Sequence, residues 1–218
     1  GELLTVVAEG TSVALTLPPG LTARLLNDYP VARAGGEWPD LDEDGAGETL
    51  TVDVGSLSAE EERVLVFELT GDPGAVGAAV RLGVRLRYAR GIDGGAEEVD
   101  GAPVALRYVS TAEAEAEQPD LDVIEAAGHL QAARAKFEAW EQTRAGRHDM
   151  ARAILHTATR GFSTAAMAPA APALAGEVAE LEALAAQAAD GGWDSATRKR
   201  ALYTSQVVSK SRRDYGKK

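Results

Sequence analysis

The apolar residues of this 218-residue chain change period once, near residue 110. Before that point they recur at every second position, as at Val80, Leu82, Val84, Leu86 and Tyr88. After it they recur every third or fourth, as at Val123, Ala127, Leu130, Phe137 and Trp140. A period of two sends alternate side chains to one face of a strand, and a period near 3.6 lines one face of a helix. The expected class is therefore α+β with the two kinds of structure segregated. An antiparallel β-sandwich is expected over residues 1–110, and a helical tail of about four helices, arranged as hairpins, over 119–218.

Within the first part, alternation marks Val13–Leu17, Leu21–Leu25, a short run after Pro30, Leu50–Val54, Val64–Leu69, Val80–Tyr88 and Val104–Tyr108. About seven short strands divided by Gly and Pro turns fit two sheets around one core. Residues 2–8 read equally as a short helix or a first strand. The stretch 35–48 is acidic and Gly-rich, and reads as a loop. Residues 111–118 carry Ala and Glu without an apolar stripe, and read as the linker. Pro119-Asp120 opens a long helix that Gly146 ends. Further helices follow over Met150–Phe162, Leu174–Ala188 and Ser195–Arg212, the last capped by Asp194 or Ser195. Phe137 and Trp140 are read as helix core, and Trp193 as the plug of the second hairpin.

Hydrophobic residues make up 45% of the chain, but aromatics only 5%, so the cores must be built from Ala, Val and Leu. The formal net charge is −12. It is uneven: from Asp194 to Lys218 eight Lys or Arg stand against two Asp, a net of +6, which leaves −18 for the rest. An acidic body disfavours nucleic acid, because phosphate contacts need clustered cations. The basic end, through Arg198, Lys199, Arg200, Arg212 and Arg213, is the expected contact surface for a protein partner. The plainer reading is a solvated helix end whose cations suit the dipole. The chain has no cysteine, so disulfides, thiolate metal sites and a thiol nucleophile are excluded. No apolar run is long enough to span a membrane. The compartment stays open.

The sharpest candidate for chemistry is Asp40-Leu41-Asp42-Glu43-Asp44-Gly45. Asp40, Asp42 and Asp44 place hard oxygens at alternate positions before a Gly, as in the first half of a Ca²⁺ loop. The twelfth position is Thr51 in place of a bidentate Glu, and Glu48 substitutes only if the loop closes differently. A charged surface hairpin is the bland reading. His129, His148 and His156 lack the four-residue spacing of a zinc protease helix. Gly161-Phe162-Ser163-Thr164-Ala165 lacks the second Gly of a nucleophile elbow. No phosphate loop is present.

Three segments resemble a family in order. Asp53-Val54-Gly55-Ser56-Leu57-Ser58-Ala59-Glu60-Glu61-Glu62-Arg63-Val64-Leu65-Val66 is similar to the DLGDL-x-AGEER-x-VLV segment that follows the metal-binding domain in bacterial von Willebrand factor type A (VWA) domain proteins. Leu26-Asn27-Asp28-Tyr29-Pro30-Val31 precedes it and Val84-Arg85-Leu86-Arg87-Tyr88 follows it. Ala151–Leu155 and Lys199–Tyr203 are similar to the family's helical tail. The resemblance implies that the first of these segments runs from one sandwich strand into the next. It implies an upstream α/β domain that holds Mg²⁺ through Asp-x-Ser-x-Ser and binds a partner's carboxylate. That motif is absent here: Asp53, Ser56 and Ser58 have different spacing and belong to the post-domain segment. Residues 2–8 would then be the trailing helix of the upstream domain.

The expected function is a non-enzymatic interaction or scaffold region of a VWA-type protein, with no cofactor of its own and a protein partner. The rivals are a Ca²⁺- or carbohydrate-binding sandwich module, and a hydrolase whose nucleophile the sequence does not display.

Overall fold

A computed structural model describes residues 6–36, 47–90, 94–164, 167–170, 172–189 and 193–210. Among the described residues the first unit holds eight strands: β1 (Val6–Leu17), β2 (Leu21–Leu25), β3 (Val31–Gly36), β4 (Gly47–Ser58), β5 (Phe67–Gly71), β6 (Ala79–Arg90), β7 (Ala96–Asp100) and β8 (Val104–Arg107). Six form one antiparallel sheet in the order β3-β4-β1-β6-β7, with β8 also paired to β6. β7 takes the Arg85–Ala89 half of β6 and β8 the Ala79–Leu82 half, so both lie on the same edge. β2 and β5 form a separate two-stranded sheet. The core lies between the two sheets. Leu15, Leu17, Leu50 and Leu82 of the larger sheet are buried with Ala23 of β2, and Leu21, Phe67 and Leu69 pack against them.

The sequence pattern leads to about seven strands in a sandwich; the observed strands divide six and two. The additional strand is β7, whose Ala-Glu-Glu-Val-Asp has no apolar alternation. Its backbone ladder with Arg85–Ala89 of β6 holds it, flanked by exposed cross-strand pairs of Arg85 with Asp100 at 2.6 Å and Arg90 with Glu97 at 3.0 Å. Val6–Ala8 belong to β1, which corrects the expectation of a trailing helix there. Their backbone is taken up by β4 and β6. The register slips between Ala8 and Ser12, where Gly10 adopts φ +56° and lets the long strand bulge. The expected loop over 35–48 is strand at both ends, since Gly35 and Gly36 pair with Glu48 and Gly47.

The second unit holds α1 (Thr111–Ala116), α2 (Leu121–Arg144), α3 (His148–Gly161), α4 (Ala175–Ala189) and α5 (Ser195–Ser209), with a 3-10 turn at Ala168–Ala170. The expected linker therefore contains a short helix. Ser110 caps it through Glu113 N–H, and it buries no side chain, as its lack of an apolar stripe requires. Asp120 and Asp194 cap α2 and α5 through their side chains. The helical core gathers Leu155, Leu174, Leu181, Leu184 and a set of alanines. Small side chains let the helices approach closely: a Cβ on Gly128 of α2 would lie 2.5 Å from Leu174 Cδ1. Trp193 is buried and donates Nε1–H to Leu184 O at 2.9 Å, fixing the entry to α5.

Candidate functional site

The segment Leu26–Pro30, between β2 and β3, joins the sheets to the helices. Asn27 is 6% exposed. Its amide donates Nδ2–H to Val64 O at 3.0 Å, and its Oδ1 accepts Val66 N–H at 2.8 Å. One side chain thereby replaces a ladder rung, and β5 starts only at Phe67 although the apolar run begins at Val64. On the other side, Asp28 N–H donates to Ser209 O at 3.0 Å and the Tyr29 hydroxyl donates to Lys210 O at 2.6 Å. These carbonyls end α5, where a helix leaves acceptors without intrahelical donors. Two of the segments quoted above, 26–31 and 53–66, therefore meet at this joint. The latter runs from β4 into β5, from one sheet to the other. Within it Glu60 takes φ 63°, and Glu61 accepts Ser58 N–H and pairs with the buried Arg63 side chain.

A cleft of about 520 Å³ opens beside the joint. Its walls are residues 25–28, one face of α2 and the last turns of α5. Leu130, Ala133 and Phe137, at spacings of three and four, supply the α2 face. Phe137 is 38% exposed, which corrects its reading as core. Its ring stacks on Trp140 with centroids 5.7 Å apart, and the Arg144 guanidinium lies 5.6 Å from the Trp140 centroid. The rim is acidic. Glu138 is paired with Arg134 at 2.9 Å, whereas Glu141 and Asp28 form no ion pair among the described residues.

Behind this face α2 is pinned to α4. Lys136 is 4% exposed and its Nζ donates to Glu177 Oε2 and to Glu180 Oε2, each at 2.6 Å. His129 Nδ1 lies 3.2 Å from Glu177 Oε1 and its Nε2 3.6 Å from Glu125 Oε1. The sequence reading passed over Lys136, because a lone Lys within a helical pattern reads as solvated. The only trace was its place among Ala132, Ala133, Ala135 and Ala139, all buried.

Asp40, Asp42 and Asp44 lie outside the described residues, as do Arg212 and Arg213. Glu48 is committed to an ion pair with Arg33 at 2.7 Å across β3 and β4. Arg198, Lys199 and Arg200 stand near the start of α5, and no basic residue occupies its last turn. The dipole argument for these cations therefore does not hold, since the start of a helix is its positive end. Asp194 offsets them: its carboxyl accepts Thr197 N–H at 2.7 Å, which holds it below the usual carboxylate range, with Arg198 adding attraction. His148 is the first residue of α3 and follows Arg147, which caps the helix with no side-chain bond. Asp53, Ser56 and Ser58 lie along β4, where Gly55 takes φ +82°. Among the described residues no three His, Asp or Glu side chains converge as a metal site, and no helix is long and apolar enough to cross a membrane.

No family profile matches the chain, and no curated protein sequence does. Solved structures similar to it include the following. One, described as von Willebrand factor type A from Catenulispora acidiphila, is 18% identical, with 97% of this chain and 47% of that chain covered and a TM-score of 0.48. The other, described as the ArnB paralog VWA2 from Sulfolobus acidocaldarius, is 10% identical, with 95% and 42% covered and a TM-score of 0.45. The chain spans a little under half the length of each.

Proposed function

We propose that this chain is a non-enzymatic protein-interaction and scaffold region of a VWA-type protein, one that supports partner binding by a metal-dependent domain outside these residues. The observation that carries the reading is the joint. Two of the segments that resemble the family, 26–31 and 53–66, grip one another through Asn27 and seat the end of α5. A joint of this kind holds two units at a fixed angle, which is what a scaffold requires.

The cleft beside it is the contact site. The half-exposed Phe137, with Leu130 and Ala133 beside it on α2, matches the composition of an interface anchor in an apolar pocket. The acidic rim at Asp28 and Glu141 complements a partner segment that carries Lys or Arg beside an apolar side chain. A photoreactive residue in place of Phe137 tests this in cells, with the same residue at the exposed Glu115 as control. The partner trapped only at the cleft is then purified and its affinity measured. Phe137→Ser is expected to weaken it about 30-fold or more, and Glu141→Lys to slow association at low salt. Equal affinity for wild type and Phe137→Ser overturns the proposal.

A further inference from the structure

The smaller sheet covers only part of the larger one. The larger sheet is five strands across and its cover is two, at about 4.8 Å per strand. Register defines the face left open. Val80 and Leu82 of β6 pair with Leu106 and Val104 of β8, so all four side chains share the face that packs on β5. Leu86 pairs with Val99 of β7 on that same face. Val99, Val104 and Leu106 are exposed, Val104 by 44%. An apolar groove of about 350 Å³ runs here along β5, with Phe67 and Leu69 as its wall and Leu15, Leu82, Val84 and Val104 as its floor. It continues past Leu69 to Leu106 and Tyr108.

The wall is an open strand edge. Leu26 N–H donates to Val66 O, and Asp72 N–H to Gly20 O. These bonds bracket the ladder, so Glu68 and Thr70 exchange bonds with Arg24 and Thr22. The N–H and C=O groups of Phe67 and Leu69 then face away from β2, over the groove. Among the described residues no strand pairs with that edge.

We propose that this groove receives an extended segment of a partner polypeptide, which adds a strand to β5 and extends the smaller sheet. Both the edge and the floor specify such an occupant. A row of outward amides and carbonyls demands a backbone ladder, which neither a helix nor a small apolar ligand supplies. The floor demands apolar side chains at alternate positions, because it continues the layer that Phe67 and Leu69 already make with the larger sheet. On the solvent face, Glu68 already pairs with Arg24 of β2 at 2.7 Å, so the alternate outward positions of the added strand need only be polar. This surface is formed by the sheets alone and is separate from the α2 cleft, so the two proposals stand or fall independently.

The probe is a labelled ten-residue peptide alternating Val with Lys and Thr, titrated against the whole chain. Binding is expected together with slower hydrogen exchange at the Phe67 and Leu69 amides. N-methylation of the peptide amides that face β5 is expected to weaken binding about tenfold or more. Val104→Lys is expected to weaken it similarly, with Leu106→Lys as a second variant should the first disturb folding. No binding, equal binding of the methylated peptide, or protection elsewhere overturns the proposal. So does a dimer that Val104→Lys dissolves, which would make a second copy the occupant.

Discussion

The Tyr29 hydroxyl donates to the main-chain carbonyl of Lys210 at 2.6 Å, joining the β2–β3 connection to the end of the last described helix across 181 residues. With the neighbouring Asp28–Ser209 bond it ties the two units together. Tyr29→Phe keeps the ring and removes the donor. It is expected to lower stability by about 1 kcal/mol. Amide exchange in the last turn of α5 should quicken while β1 and β4 keep their protection.

Asn27 uses both ends of its amide in the buried joint. Asn27→Ala leaves Val64 O and Val66 N–H without partners, at an expected cost of about 2–4 kcal/mol. Urea denaturation followed by far-UV circular dichroism measures it. A change below about 0.5 kcal/mol, the usual range for surface positions, would show that water replaces the amide.

Lys136 between Glu177 and Glu180 is a different kind of contact, since its partners keep some solvent access. Lys136→Met leaves two carboxylates facing each other without their cation, and is expected to cost about 3 kcal/mol. The triple variant Lys136→Met, Glu177→Gln, Glu180→Gln should recover part of that loss. Thermal melts of the three proteins decide whether the cost lies in the lost pair or in the stranded charges.

The cap of α5 predicts a pH effect of definite sign. The Thr197 N–H holds the Asp194 carboxyl below its ordinary range in the folded chain. The cap's contribution is therefore fully present above the unfolded value, near 4, and is lost as pH falls through the lower folded value. The Thr197 amide signal should report this titration in wild type. Asp194→Asn should keep the cap and abolish the titration; Asp194→Ala should lose both and shorten α5.

Much of this was legible before any coordinates. The change of period near residue 110 located the boundary between sheets and helices, because side-chain periodicity is a local property. The cap of α5, narrowed to Asp194 or Ser195, was legible for the same reason: a short polar side chain beside a helix start acts within three residues, and the structure gives the cap to Asp194. Phe137 was misread because helical spacing tells which residues share a face, but not whether that face is covered. β7 was missed because it is held by a backbone ladder with β6, which no apolar alternation within its five residues announces.

The amino-acid sequence determined by itself the order and type of nearly all the elements, and the composition of both cores, since these follow from neighbours along the chain. Only the tertiary structure decided how the described strands divide into six and two, that Asn27 ends one ladder and binds another segment, and that Lys136 is buried between two glutamates. Each of these depends on partners tens of residues apart, and no local spacing encodes which distant backbone will present the free donor or acceptor.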